Sequence, residues 1–391
     1  MAEWLVARGH DVCVVTALPY YPGWKIDPRF SVGYTEACKL SSRPGLVVLR
    51  SWLWVPRSPS GGKRILHLLS FALSSLPLLV WQLARKPDLA FVVVPTLAIA
   101  PQSALLGRLF RVRTWLHVHD FELDAALRLG VLRLHAGQSL LFAIERLILR
   151  AFSRVSTISA GMLARLHAKG VRPTHSRLLP NWVDIAAITP VIGNNAVRTE
   201  LGLGADDVLV LYAGNMGEKQ GLEIVVDAAR RLCSMQGIRF LMVGEGSSRA
   251  ALKVSAEGLP NMTWWPLQPK AGLSMLLHAA DIHVLPQRAD AADLVMPSKL
   301  GPMLASAKVV VGTAEAGTEL GRLLDDVGVR VASGDIDGLV GALKRCAADP
   351  ALRLSRGERG RALVARTLDR EAVLGAFEAQ CEALISEKSF A

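Results

Sequence analysis

Four short stretches in the second half of the chain carry residues suited to holding an anion. The first is GNMGEKQG, Gly214–Gly221, between the strand-like DDVLVLYA and the helix-like LEIVVDAARRL. Its glycines let backbone N–H groups approach a phosphate, and the following helix N-terminus adds positive potential. Lys219 offers a formal charge there, and Asn215 and Gln220 offer neutral donors. The spacing fits neither G-x-x-x-x-G-K-[ST] nor G-x-G-x-x-G, and a plain strand-to-helix turn would use the same glycines. The second stretch, MVGEGSSRAAL, ends another strand with Gly244 and Gly246. The third, LVMPSKL, sets Pro297, Ser298 and Lys299 at a helix start, where Ser can cap and Lys can neutralise a phosphate; simple capping is the competing reading. In the fourth, AGTELGRLL, Thr318 and Glu319 precede an apolar helix; the glutamate either balances the helix dipole or accepts hydrogen bonds from sugar hydroxyls.

The first half holds a different cluster. LHVHDFELDAAL places His117, His119, Asp120, Glu122 and Asp124 after a strand, and alternation puts 117 and 119 on one face. A His–Asp pair at a strand end suits proton handling or sugar binding. A metal would need three converging ligands, and polar packing remains a third use.

Short β-branched runs, separated in several places by helical stretches, must position these residues. DVCVVTA (11–17), LVVLRSW (46–52), DLAFVVV (88–94), RTWLHVH (113–119), RVSTISA (154–160) and RLLPNWV (177–183) read as strands. The rhythm restarts at DVLVLYA (207–213) and continues through IRFLMVG, MTWWPL, DIHVLP and KVVVGT. Near-continuous apolar strands alternating with helices predict α/β architecture with parallel sheets covered on both faces. The turn-rich DIAAITPVIGNNA (184–196) marks the break. Two Rossmann-like domains are expected, over 1–185 and 195–370, with a C-terminal helix (371–391) that completes the second or crosses back to the first. In such sheets ligands bind at strand C-terminal ends, so the glycine-marked ends define one crevice.

Charge separates the halves. Residues 1–190 hold 23 Lys/Arg against 10 Asp/Glu, whereas residues 191–391 hold 22 against 24. An anionic partner for the first half follows: a membrane or a phosphorylated substrate, with nucleic acid disfavoured because the basic residues lack aromatic interleaving. Five scattered cysteines without C-x-x-C argue against a disulfide framework or zinc site and fit a reducing cytosol. The opening MAEWLVARGHD reads as a helix end and not as a signal peptide. Residues 65–84 form an uncharged run flanked by Lys63-Arg64 and Arg85-Lys86. It is long enough to span a bilayer, yet it contains His67, three serines, Pro77 and Gln82 and sits between strands of what reads as one sheet. A monotopic membrane contact or a buried or surface helix are the other readings. Trp52, Trp54 and Arg57 just before it suit an interfacial belt or a core.

Taken in order, LVARGHDVCVVTALPYYP, HVHDFE, VSTISAGM, LLPNWVD, GNMGEKQGLEIVVDAA, VGEGSSR, ADLVMPSKL and GTELGRLL resemble a family-4 retaining glycosyltransferase of the GT-B fold. ALPYYPGWKI, PNW, GEKQGLE and PSKL resemble the branch that builds colanic-acid-type bacterial exopolysaccharides, often described as fucosyltransferases. The resemblance implies two Rossmann-like, doubly wound parallel-sheet domains facing a cleft. It implies a UDP- or GDP-linked sugar donor on the second domain, with diphosphate near 214–220 and 297–299. A lipid-linked saccharide acceptor on the first domain, retention and no metal or other cofactor also follow from it, as does a cytoplasmic enzyme peripheral to the inner face of the cell membrane. His119 matches the family's active-site histidine, with Asp120 beside it.

The chain departs from the family in three places. A strand and Gly-rich loop of roughly 25 residues are expected ahead of the helix ending LVARGHD. Asp290 and Asp293, followed eight residues later by Ser298 and Gly301, stand in place of paired glutamates, and Ala307 in place of glycine. Asn215 and Gln220 also thin the usual positive charge. Rival readings are a catalytically inactive binding homologue and a GT-B sugar-nucleotide epimerase.

Overall fold

The apolar runs fold as strands and the stretches between many of them as helices. The computed structural model describes residues 1–20, 23–28, 30, 37–38, 45–57, 61–94, 97–121, 123, 138–189, 194–288 and 297–387. Glu122, Asp124, Asp290 and Asp293 lie outside the described residues. The chain divides into two compact units, Met1–Leu179 with Leu374–Ala391, and Pro180–Val373.

The first unit begins with α1 (Ala2–Ala7) and β1 (Val12–Ala17), then β2 (Ala37–Cys38) and β3 (Leu46–Ser51). Helix α2 (Gly61–Leu83) leads to β4 (Leu89–Val94), α3 (Ala100–Phe110) and β5 (Arg113–Val118). Then follow α4 (Gln138–Arg150), β6 (Arg154–Thr157), α5 (Ala160–Ala168) and β7 (Ser176–Leu178). These strands form two sheets, where the sequence pattern suggested one. β1 pairs parallel with β3 and β2 antiparallel, while β4-β5-β6-β7 is wholly parallel. Among the described residues no ladder joins β1 to β4, so each is paired on one side only; α2 packs on β1, β3 and α3.

The second unit runs α6 (Ala196–Glu200), β8 (Val208–Ala213), α7 (Glu223–Arg231), β9 (Ile238–Val243), α8 (Arg249–Ser255) and β10 (Met262–Trp265). It continues with α9 (Leu273–Ala279), β11 (Ile282–Leu285), α10 (Leu300–Ala305), β12 (Val309–Thr313), α11 (Glu319–Val327) and β13 (Val329–Val331). Helices α12 (Ile336–Ala348), α13 (Pro350–Thr367) and α14 (Arg370–Ser386) close the chain. The sheet is all-parallel in the order β10-β9-β8-β11-β12-β13, doubly wound about β8. Alternation explains why its strands are apolar throughout. Val208, Val210 and Tyr212 meet Val225, Ala229 and Leu343 on one face, while Leu209 and Leu211 meet Leu276 and Ala279 on the other.

The chain crosses between units at Leu179–Pro180 and again at Val373–Leu374, inside α14. The first crossing precedes the turn-rich 184–196 segment because Val183 is tied into the second unit. Its N–H donates to Leu368 O at 2.8 Å, and Arg370 N–H donates back to Val183 O at 2.9 Å. The later part of α14 belongs to the first unit: Phe377 packs edge-on against Phe91 and Trp115, and Glu378 accepts from Arg8 at 2.6 Å.

Candidate active site

The order of the second sheet reverses at β8, whose neighbours are β9 and β11, the kind of switch point at which open α/β sheets bind ligands. Lys299, between β11 and α10, crosses that point. Its Nζ donates to Tyr212 Oη and to the Asn215 carbonyl at 3.2 Å, and lies 4.3 Å from the Tyr212 ring centroid. Tyr212 Oη in turn donates to the same carbonyl at 2.5 Å. Gly214 makes the crossing possible. At φ +144° it holds a conformation L side chains rarely adopt, and a Cβ there would lie 2.6 Å from Lys299 Nζ and 2.8 Å from Cδ. Burial has two consequences: it pulls the Lys299 ammonium down to about 8 and pushes the Tyr212 phenol up. The lysine is thus a cation held at the strand ends by a carbonyl and a phenol.

The two glycine loops are laced together. Gly214 N–H donates to Val243 O and Met216 N–H to Glu245 O, both at 2.8 Å, and Ser248 N–H donates to Met216 O at 2.9 Å. A Cβ on Gly246 would fall 2.7 Å from Met216 N, and one on Gly244 2.9 Å from the carbonyl carbon of Gly214. Gly244 and Gly246 are therefore explained by backbone packing, which seats the loop that Lys299 lies across. The expected cradle of amides is correspondingly narrower. Gly217 N–H donates to Gln220 Oε1 at 3.0 Å, so the Gln220 side chain turns back to close its own single helical turn, Glu218–Gln220. Gly221, at φ +59°, ends that turn, and α7 begins only at Glu223.

Asn215 and Lys219 are exposed on this loop. Pro297 is half-buried and Ser298 exposed; α10 starts at Leu300 with Lys299 at its N-cap and no side-chain cap, so Ser298 is not the helix cap its position suggested. Thr318 is the cap of α11: its Oγ1 accepts from Gly321 N–H at 2.9 Å and donates to Glu315 O at 2.8 Å. That hydroxyl is taken up by the helix start, whereas Glu319, half-buried in the first turn, sits beyond the end of β12. Of the eleven residues expected to hold the donor, those of the two glycine loops follow the C-terminal ends of β8 and β9, Thr318 and Glu319 follow β12, and Lys299 reaches the end of β8 through Tyr212 and Asn215.

His119 and Asp120 belong to the first unit, just past β5, where His119 N–H donates to Val94 O at 3.1 Å. The rings of His117 and His119 meet edge-on at 4.5 Å, as alternation requires. Their roles separate by burial. His117 is enclosed, lies 2.8 Å from Ser156 Oγ, and is pushed down to about 3 by burial and by His119. Half-buried His119 is lowered by burial alone, so it presents a neutral imidazole able to accept or donate a hydrogen bond. Among the described residues one His/Glu group converges, His10, Glu378 and Glu382. Glu378 there accepts from Arg8 at 2.6 Å and lies 2.8 Å from His10 Nε2.

Residues 1–182 match the model of the glycosyl transferase 4-like domain, and residues 207–349 that of glycosyl transferases group 1. The chain is also 40% identical to the putative colanic acid biosynthesis glycosyl transferase WcaI of Escherichia coli K12, over 96% of this chain and 93% of that protein. The chain belongs to this glycosyltransferase family. Its fold is GT-B: sucrose-phosphate synthase from Thermosynechococcus elongatus superposes with a TM-score of 0.72 at 19% identity, covering 98% of this chain and 92% of that one. Anabaena HepE, solved in complex with UDP-glucose, gives 0.67 at 14% identity, covering 95% and 99%.

Two residues that contact Lys299 and the Gly214–Gly221 loop were not among the sequence candidates. Tyr212 reads as a core strand residue, and only its place near the C-terminal end of β8 hints that its hydroxyl reaches the strand ends. Arg288, exposed beyond β11, lies against Gly221, where a Cβ would come within 2.9 Å of its Cγ. Thr313 fixes that approach by bonding the Gln287 backbone at 2.8 and 2.9 Å.

Proposed function

We propose that this glycosyltransferase moves a sugar from a nucleotide-sugar donor to a lipid-linked saccharide acceptor during assembly of a colanic-acid-type surface polysaccharide. The observation that carries the donor half is Lys299, a half-buried ammonium laid across Gly214 at the sheet's switch point. A nucleoside diphosphate leaving a sugar develops negative charge, and a fixed cation in a poorly solvated crevice meets that charge without reorganising. Lys219 and Arg288 stand on the neighbouring loops and add charge, which is the reason to expect no metal. HepE's complex with UDP-glucose supports a nucleotide sugar as donor, and the Escherichia coli relative supports the pathway. Retention of configuration is what the family resemblance implies, with His119 and Asp120 on the acceptor-binding unit. The lipid-linked acceptor suits the basic first half and places the enzyme peripherally on the membrane's inner face.

The test is to incubate purified protein with a panel of UDP- and GDP-linked labelled sugars and a membrane lipid extract. Labelled lipid, with its anomeric configuration read by NMR, is expected. Free epimerised nucleotide sugar would make the protein an epimerase, and donor binding without turnover an inactive homologue; either overturns the proposal.

A further inference from the structure

Helix α2 is amphipathic the wrong way round for a protein in water. Its inward side carries the polar residues. His67 is 2% exposed and Ser74 7%; His67 Nδ1 lies 2.5 Å from Trp54 O, while Ser74 Oγ bonds Trp52 O and Ser70 Oγ accepts from Trp54 N–H. Its outward stripe is apolar at helical spacing: Leu66, Leu69, Leu73 and Val80, with Leu73 71% exposed. The helices beside it repeat the pattern. α3 packs on α2 and exposes Leu105 and Leu109, and α4 packs on α3 and exposes Leu140, Ile144 and Leu147. Such a run of outward leucines far exceeds the scattered apolar residues of an ordinary surface.

Charge identifies what covers it. No carboxylate faces outward from any of the three helices: α2 and α3 contain none, and Glu145 of α4 is buried against Lys169 Nζ at 2.5 Å. Exposed cations border the apolar surface instead. Lys63 and Arg64 stand at one end of α2 and Arg85 and Lys86 at the other, with the Arg85 guanidinium 3.6 Å over exposed Trp81. Apolar residues flanked by basic ones, without acids, match an anionic lipid surface, with leucines at acyl depth and cations at the phosphates.

We propose that the α2–α3–α4 face is a monotopic docking surface for an anionic bilayer, with α2 lying flat in one leaflet. Length and hydropathy would also allow α2 to span. Its polar side, however, is bonded to the segment that follows β3, and both β3 and β4 belong to the same unit. This deepens the membrane half of the proposed function but needs no donor, so its assay fails or succeeds separately from glycosyl transfer.

The experiment is co-sedimentation of the full chain with phosphatidylcholine vesicles containing about a third phosphatidylglycerol. Wild-type protein is expected to pellet with these vesicles, less so in high salt or with phosphatidylcholine alone. Leu69→Ser with Leu73→Ser, both exposed and expected to leave the melting temperature unchanged, should weaken binding about ten-fold or more. Lys63→Glu with Arg64→Glu should weaken it on anionic vesicles only. No pelleting by wild type, or undiminished binding by the leucine variant, overturns the proposal. So does a wild-type dimer that Leu73→Ser dissolves without any effect on vesicles, which would make the face a contact between copies. Bound protein that resists alkaline carbonate would overturn the flat placement.

Discussion

Raising the pH should loosen the donor by discharging Lys299. The ammonium sits at about 8 because burial disfavours its charged form. In the free enzyme it is therefore about 90% charged at pH 7 and about 10% at pH 9. A diphosphate beside Nζ favours the charged form and draws the bound-state value back towards the ordinary lysine range. The dissociation constant should then be flat below pH 8 and rise with unit slope above it, about ten-fold between pH 7 and 9. Isothermal titration with whichever nucleotide sugar binds from the UDP and GDP panel reads this directly. Lys299→Met should weaken binding about 10- to 150-fold at pH 7, the range of a charge-assisted hydrogen bond of about 1.5–3 kcal/mol, and should abolish the slope. The same value has a stability corollary. Folded Lys299 loses its proton before unfolded lysine does, so its burial cost is present in full below about pH 8 and is shed as pH rises towards 10.5. An affinity that does not move between pH 7 and 9, or a slope that survives in Lys299→Met, would refute the role given to this lysine.

Three further outcomes are expected. Gly214→Ala drives a Cβ into the Lys299 side chain and strains a positive φ, so donor affinity should fall at least about ten-fold, as measured by the same titration. Gly246→Ala and Gly244→Ala meet backbone that cannot yield and should cost about 2–4 kcal/mol in denaturant unfolding; full stability with lost donor binding would instead make them ligand contacts. His117 and His283 are both buried and held down to about 3. Their neutral forms support the fold fully above about pH 6.5, and that support drains as pH falls towards 3, with a slope of about one proton each between pH 6 and 4. Replacing either with Gln should flatten the slope of unfolding free energy against pH, whereas His119→Asn should remove sugar transfer.

Most strands were legible because parallel, doubly covered strands need apolar runs, as in Val208–Ala213 and Val309–Thr313; β2 (Ala37–Cys38) and β13 (Val329–Val331) are too short to form such a run. The glycine loops were legible as strand ends, but not what each glycine admits. Gly214 clears room for a side chain 85 positions away, and Gly244 and Gly246 for a neighbouring backbone, which is information held only in the packed sheet. Thr318 and Gln220 look like ligand contacts by type and place, yet their bonds close local turns. The run 65–84 announced its apolarity but not its orientation. Hydropathy averages over a helix, and the direction of His67 and Ser74 decides which side faces out.

Helix α14 also sets an order of events during synthesis. The second unit is a single uninterrupted segment, complete once Val373 has been made, while the first unit still lacks its final stretch. Phe91 and Trp115 wait for Phe377, and Arg8 and His10 for Glu378. The half of the protein translated first is thus the half that matures last. A chain lacking the residues from Leu374 onward would hold a complete second unit and a first unit whose Phe91 and Trp115 have lost Phe377.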